Sequence, residues 1–195
     1  MKFYKLIIPF LLIGAVLTGN EVYPTGLKLR APNWIPICIE SYENGAPKTI
    51  LFYEPLPGQV KQKPVKQLKF LSDGSMNQET DLTILDESDP AVLIFHTRVI
   101  PHGPDIIFSG NGTVSKLQFY QKGVLEGLVK SYYPSGALES VANYQKGILE
   151  GPFKKLHENG NIAEKGYYKK GKIEGEQICY FDNGANKSKC FFSEG

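Results

Sequence analysis

The sequence is poor in the residues that carry catalytic or metal chemistry. It holds three histidines and three cysteines among 195 residues, with no C-x-x-C pair and no cluster of His. A metal site is therefore not expected. An H-E-x-x-H pair and a G-x-S-x-G elbow are both missing, so the common metallohydrolase and serine-hydrolase signatures are absent. The formal net charge is only +2, which provides little steering, and the lysines alternate with acids rather than forming a stripe. Nucleic acid is not an expected partner. One nucleotide-like string, from Gly166 to Lys172, has the spacing G-x-x-x-x-G-K. It is followed by Ile173 where a P-loop needs Ser or Thr to place a hydroxyl on magnesium. The expectation is a protein that is not an enzyme and needs no cofactor.

Long apolar runs are also missing, except near the start. Lys2 and Lys5 precede an apolar run over residues 6–17, the composition of a secretory signal. Spanning a bilayer takes about 20 apolar residues, so this run is short for a stable transmembrane helix. Residues 1–19 are read as a signal, with an exported product (periplasmic, surface or secreted). The alternative is an uncleaved segment that anchors the protein to a membrane.

What the sequence does have is periodicity. YQKGVLEG from Tyr120 returns as YQKGILEG from Tyr144 and YKKGKIEG from Tyr168, at intervals of 24, and FSEG follows from Phe192. A fixed period of this length marks a repeat array. Within each unit a second glycine follows nine residues later: Gly136 in YPSG, Gly160 in HENG, Gly184 in FDNG. Ser-Gly and Asn-Gly between short runs of Tyr, Phe, Ile and Val predict tight turns between strands. Each unit reads as a β-hairpin, with strands near 128–133 and 138–144 in the first. The fold class predicted is all-β, an array of consecutive antiparallel hairpins. A lone hairpin is marginal in water, so neighbours must stabilise one another.

The pattern Y-x-x-G-x-x-x-G, an aromatic pair or its remnant, then x-x-G resembles the MORN repeat. It is most similar to the bacterial MORN-variant form found in YwqK-family antitoxins. The resemblance is continuous over residues 96–195 and fragmentary before. It implies an interaction or scaffold protein that binds a protein partner. It also implies two alternatives, an antitoxin-like protein that neutralises a toxin and a module that contacts lipid headgroups at a membrane surface.

Residues 20–95 carry damaged copies. Tyr23-Pro-Thr-Gly26, Tyr42-Glu-Asn-Gly45 and Leu71-Ser-Asp-Gly74 match the turn segment. Two insertions interrupt them. Residues 54–66, rich in Pro and Lys, read as a loop, and Ala91 to Phe95 offer an extra strand. Cys179 and Cys190 lie on opposite arms of the last hairpin, and the strand register decides whether they approach.

Four expectations concern side chains. Tyr120, Tyr144, Tyr168 and Phe192 should stack as a ladder. Alternation along a strand sends adjacent residues to opposite faces, so the row Phe70, Phe108, Tyr132, Leu156 and Tyr180 is read as core. The companion row, notably Tyr133, His157 and Phe181, is read as the binding surface. The recurrent Glu126, Glu150 and Glu174 read as a turn requirement rather than as catalytic carboxylates.

Overall fold

The computed structural model describes residues 30–58 and 62–193. The signal segment and the Tyr23 copy of the turn lie outside them. The first part has the seven-residue strand β1 (Ile35–Ser41) and the nine-residue strands β2 (Pro47–Pro55), β3 (Gln62–Phe70) and β4 (Met76–Ile84), then a short helix α1 (Ala91–Phe95). After β5 (Val99–Phe108) the repeat settles into a constant form. Its strands are β6 (Val114–Gln121), β7 (Val124–Leu125), β8 (Gly127–Tyr132), β9 (Leu138–Gln145), β10 (Ile148–Leu149), β11 (Gly151–Leu156), β12 (Ile162–Lys169), β13 (Lys172–Ile173), β14 (Gly175–Tyr180) and β15 (Asn186–Phe192). All fifteen join one antiparallel sheet, its long strands paired in chain order with β7, β10 and β13 as short flaps beside β6, β9 and β12. The irregular and regular stretches meet through the β4–β5 ladder.

Two kinds of turn build each regular unit, and the first of them also serves the irregular stretch. At one end the residue after the strand donates its N–H to a carbonyl four residues on and accepts from the glycine three residues on. Tyr42, Leu71, Ser109, Tyr133, His157 and Phe181 all do this. The damaged copies at Tyr42 and Leu71 therefore keep the turn even where the surrounding sequence has drifted. In five of the six, an Asn or Asp side chain one residue before the glycine also accepts a backbone N–H, as Asn44, Asp73, Asn111, Asn159 and Asn183 do.

At the other end the strands are joined by two residues. Gln121 pairs with Val124, Gln145 with Ile148 and Lys169 with Lys172. Lys122 and Gly123, Lys146 and Gly147, and Lys170 and Gly171 between them all have positive φ, as a type I′ turn demands. Lysine is an unusual occupant of this region. Each such turn is tied to the preceding unit: the carboxylate of Glu126 accepts the Lys146 N–H and that of Glu150 the Lys170 N–H, both at 2.8 Å. The recurrent glutamate thus serves the turn, as its period suggested. In the first unit His102 stands where the glutamate would, and its Nδ1 accepts the Lys122 N–H at 3.1 Å.

The two insertions differ from their sequence readings. Most of residues 54–66 is strand, because Tyr53, Glu54 and Pro55 pair with Pro64, Lys63 and Gln62. The prolines sit at the strand end and beside a register shift, where a missing N–H is tolerated. Ala91–Phe95 is helix rather than strand. Pro90 has the fixed φ a helix start needs, and the Asp89 carboxylate accepts the Ala91 N–H. Phe95 then packs over the bare Gly123, where an added Cβ would meet its ring at 2.7 Å.

The core of the regular stretch is one cross-strand row. Val129 pairs with Ala142 and Phe153 with Gly166, and Val129 and Phe153 are buried. This inner face also carries the tyrosine ladder. Tyr120 pairs with Gly103, Tyr144 with Gly127 and Tyr168 with Gly151, so successive rings are two strands apart. At about 4.8 Å per strand they are out of mutual contact. Tyr168 packs instead on Phe153, with ring centroids 4.5 Å apart. The row Phe70, Phe108, Tyr132, Leu156 and Tyr180 is only half-buried, and Tyr132, Leu156 and Tyr180 lie on the opposite, outer face. The core reading of that row does not hold in the regular stretch. In the irregular stretch burial extends to the outer face, where Ile50, Phe52, Val65 and Leu68 cluster and Trp34, Phe70 and Met76 pack against them.

Phe153→Ala should cost about 3–5 kcal/mol and Gly166→Ala about 1–3 kcal/mol, since its Cβ would lie 2.8 Å from the Phe153 ring. Lys146→Asn should stabilise, because Asn tolerates the left-handed conformation that costs other residues about 1–2 kcal/mol. Urea unfolding measures all three. An unchanged midpoint for Gly166→Ala would show that the Phe153 pocket is loose.

Candidate functional site

The outer face of the regular stretch presents two adjacent rows across the strands. Register places Pro152 opposite Tyr167 and Glu176 opposite Phe191. Alternation brings Phe119 and Leu128 into line with them. Phe119, Leu128, Tyr167 and Phe191 are all exposed, Leu128 by 57% and Phe191 by 78%. Phe119, Tyr167 and Phe191 occupy equivalent positions of the repeat, each directly before a ladder ring, with Asn143 at that position in the intervening unit, opposite Leu128. Exposed apolar side chains lined up on one face make this face the candidate contact surface.

The neighbouring row is basic. Lys130 pairs with Val141, Val141 with Lys154, Lys154 with Lys165, Lys165 with Ile178, and Ile178 with Lys189. Lys165 lies 5.4 Å from the Tyr180 ring centroid, and its hydrogen bond to Tyr180 raises its pKa. Lys189 meets Glu176 at 2.5 Å. Between the rows, Pro152, Phe153, Lys154, Lys165, Gly166, Glu176 and Ile178 line a shallow depression of about 240 Å³. The inner face is balanced by comparison. Lys155 meets Glu164 at 2.7 Å. Burial raises the Glu164 pKa, but hydrogen bonds from Lys155 and Gln177 outweigh it and hold the group below its ordinary value.

The residues read from the sequence as the binding surface are placed differently from one another. Tyr133 is half-buried and its hydroxyl donates to the Leu156 carbonyl at 2.7 Å. His157 is half-buried, with Nε2 3.0 Å from the Tyr180 carbonyl. Each latches the end of its hairpin to the next, as Tyr42 does to the Phe70 carbonyl. Phe181, in the last described turn, is 47% exposed. Alternation applied to the pairs Phe119–Tyr120, Tyr167–Tyr168 and Phe191–Phe192 separates the two rows in the sequence, but not which of them is open to solvent.

Two buried polar clusters have the residue types of active sites. Lys66, fully buried, meets Glu79 and, at 2.8 Å, Asp81, while Arg30 stands 4.0 Å from Glu79. On the inner face the buried Asp105 carboxylate accepts from Gln78, Thr80 and Gln118. Burial and the nearby Asp105 charge raise the Tyr120 pKa. Both clusters are closed to solvent and their charges are engaged within the fold, so what they do is hold register. Among the described residues no group of three or more His, Cys, Asp and Glu is placed to hold a metal. Cys179 and Cys190 share the inner face. They are diagonal rather than opposite, with Cys179 facing Ser188 and Cys190 facing Gln177. Diagonal neighbours lie about 7–8 Å apart, beyond easy disulfide reach.

The family model of the MORN repeat variant matches residues 125–146 and 149–170. These two consecutive segments are similar to that repeat, and the turns and pairings of the flanking units repeat the same geometry. No curated protein sequence matches the chain.

Tyr133→Phe should lower stability by about 0.5–1.5 kcal/mol through loss of its latch to Leu156, while Phe181→Ala should leave the melting temperature nearly unchanged. A reversed order would mean that the last turn, rather than the inter-hairpin latch, holds this end of the sheet.

Proposed function

We propose that the protein is a non-enzymatic interaction module that binds a protein partner on its outer face. The observation that supports this is the exposed row of Phe119, Leu128, Tyr167 and Phe191, carried on a sheet stiffened by ties from Tyr133, His157, Glu126 and Glu150 to the neighbouring units. Such a surface loses little conformational freedom on binding, because backbone pairing already fixes the side-chain spacing. Phe181 lies at the margin of the same surface. Tyr133 and His157, read from the sequence as contacts, sit at the hairpin ends that border it. In this proposal export, read from residues 1–19, places the partner outside the cytoplasm. An antitoxin-like role is the special case in which that partner is a toxin.

The test compares the wild-type protein with Leu128→Ser/Tyr167→Ser as baits in extracts of the native host. Both changes are at exposed positions, so melting temperatures should agree. A partner captured by the wild type should be lost by the variant. Equal capture by a normally folded variant would remove the outer face from consideration.

A further inference from the structure

We propose that the outer face selects an acidic segment of its partner, with a carboxylate received between Lys154 and Lys165. This deepens the reading above and rests on it. The charge pattern on the two faces carries the inference. On the inner face of the regular stretch Lys155 is matched by Glu164. On the outer face Lys130, Lys154, Lys165 and Lys189 stand in one row, and Glu176 beside it is engaged with Lys189.

Lys154 and Lys165 are the decisive pair. They are direct cross-strand partners, and like charges placed opposite one another destabilise a sheet. Lys154 is exposed and Lys165 half-buried, its ammonium already hydrogen-bonded to Tyr180; an anion received between the two lysines relieves what repulsion remains. The depression that both lysines line has room for a carboxylate-bearing side chain. Pro152 and Tyr167, paired in the adjacent row, offer apolar contact to the residues flanking it. An acidic residue next to aliphatic or aromatic ones matches both rows at once. A phosphate backbone or a lipid headgroup would satisfy the lysines only, and the test separates these sources.

Binding of the full-length protein is measured by fluorescence anisotropy with a labelled twelve-residue peptide that alternates Glu with Leu and Tyr. Three comparison probes are the same peptide with Gln for Glu, a dT12 oligonucleotide, and phosphatidylcholine vesicles with a fifth phosphatidylserine. The acidic peptide should bind, and the Gln peptide should bind about tenfold more weakly, the loss expected for two partly exposed ion pairs. Lys154→Glu/Lys165→Glu should abolish the preference and Lys154→Gln/Lys165→Gln should reduce it; the Gln variant, which removes the like-charge pair, should melt at or above wild type, while the Glu variant keeps a like-charge pair and should melt near wild type. Raised salt should weaken the acidic peptide selectively. The proposal is overturned by equal binding of both peptides, by tighter binding of dT12 or vesicles than of the acidic peptide, or by a preference that survives the lysine changes. Equal binding of both peptides, lost in Leu128→Ser/Tyr167→Ser, would overturn the acidic preference alone and leave the outer-face reading standing.

Discussion

Neighbouring residues of a strand must point to opposite faces, and a single-layer sheet has only two faces to offer. In this protein that constraint divides each aromatic pair between two tasks. Of Tyr167 and Tyr168, one is open to solvent and the other packs on Phe153. The pair cannot be buried together without breaking the ladder. An open aromatic row is thus a direct consequence of placing a tyrosine ladder on the inner face with an aromatic residue before it.

The same constraint explains why glycine recurs where it does. The ladder rings alternate with Gly103, Gly127, Gly151 and Gly175 along the row, and Phe153 stands opposite Gly166. Bulky and bare positions alternate across the strands, which lets a one-layer sheet bury Phe153 and half-bury Tyr120, Tyr144 and Tyr168 without a second layer. Burial of Val129 and Phe153 is correspondingly local, so each hairpin depends on the next. The latches from Tyr133, His157, Glu126 and Glu150 all cross from one unit to its neighbour. They make the array cooperative where the hydrophobic core alone is thin.

The first half of the sheet solves the same problem by other means. There the outer face is covered by Trp34 and by Arg30, which lies 5.5 Å over the Phe52 ring. Covering that face buries Lys66, Glu79 and Asp81. Burying charge is tolerable only when it is paired, and these groups meet one another directly. The transition falls near Ile106, which is buried, while Phe119 in the next strand is exposed. The candidate contact surface begins where the cover ends.

The period of 24, the turn glycines and the alternation of short apolar runs were sufficient, by themselves, to determine the all-β hairpin array. Those features act locally: a positive-φ turn and a strand need only their own residues, and Gly123, Gly136 and their equivalents announce them. The turn role of Glu126 and Glu150 was legible for the same reason. The tertiary structure decided which member of the pairs Phe119–Tyr120 and Tyr167–Tyr168 is the more covered, since that depends on register and bulges that bring distant strands together. A bulge near each hairpin end shifts the turn residues out of simple alternation, so Tyr133 and His157 became latches rather than a free row. Ala91–Phe95 became a helix because Asp89 and Pro90 cap it and Gly123, from the next hairpin, leaves space for Phe95. The facing of Lys154 and Lys165 was likewise invisible in one dimension, for it exists only once two strands eleven residues apart are paired.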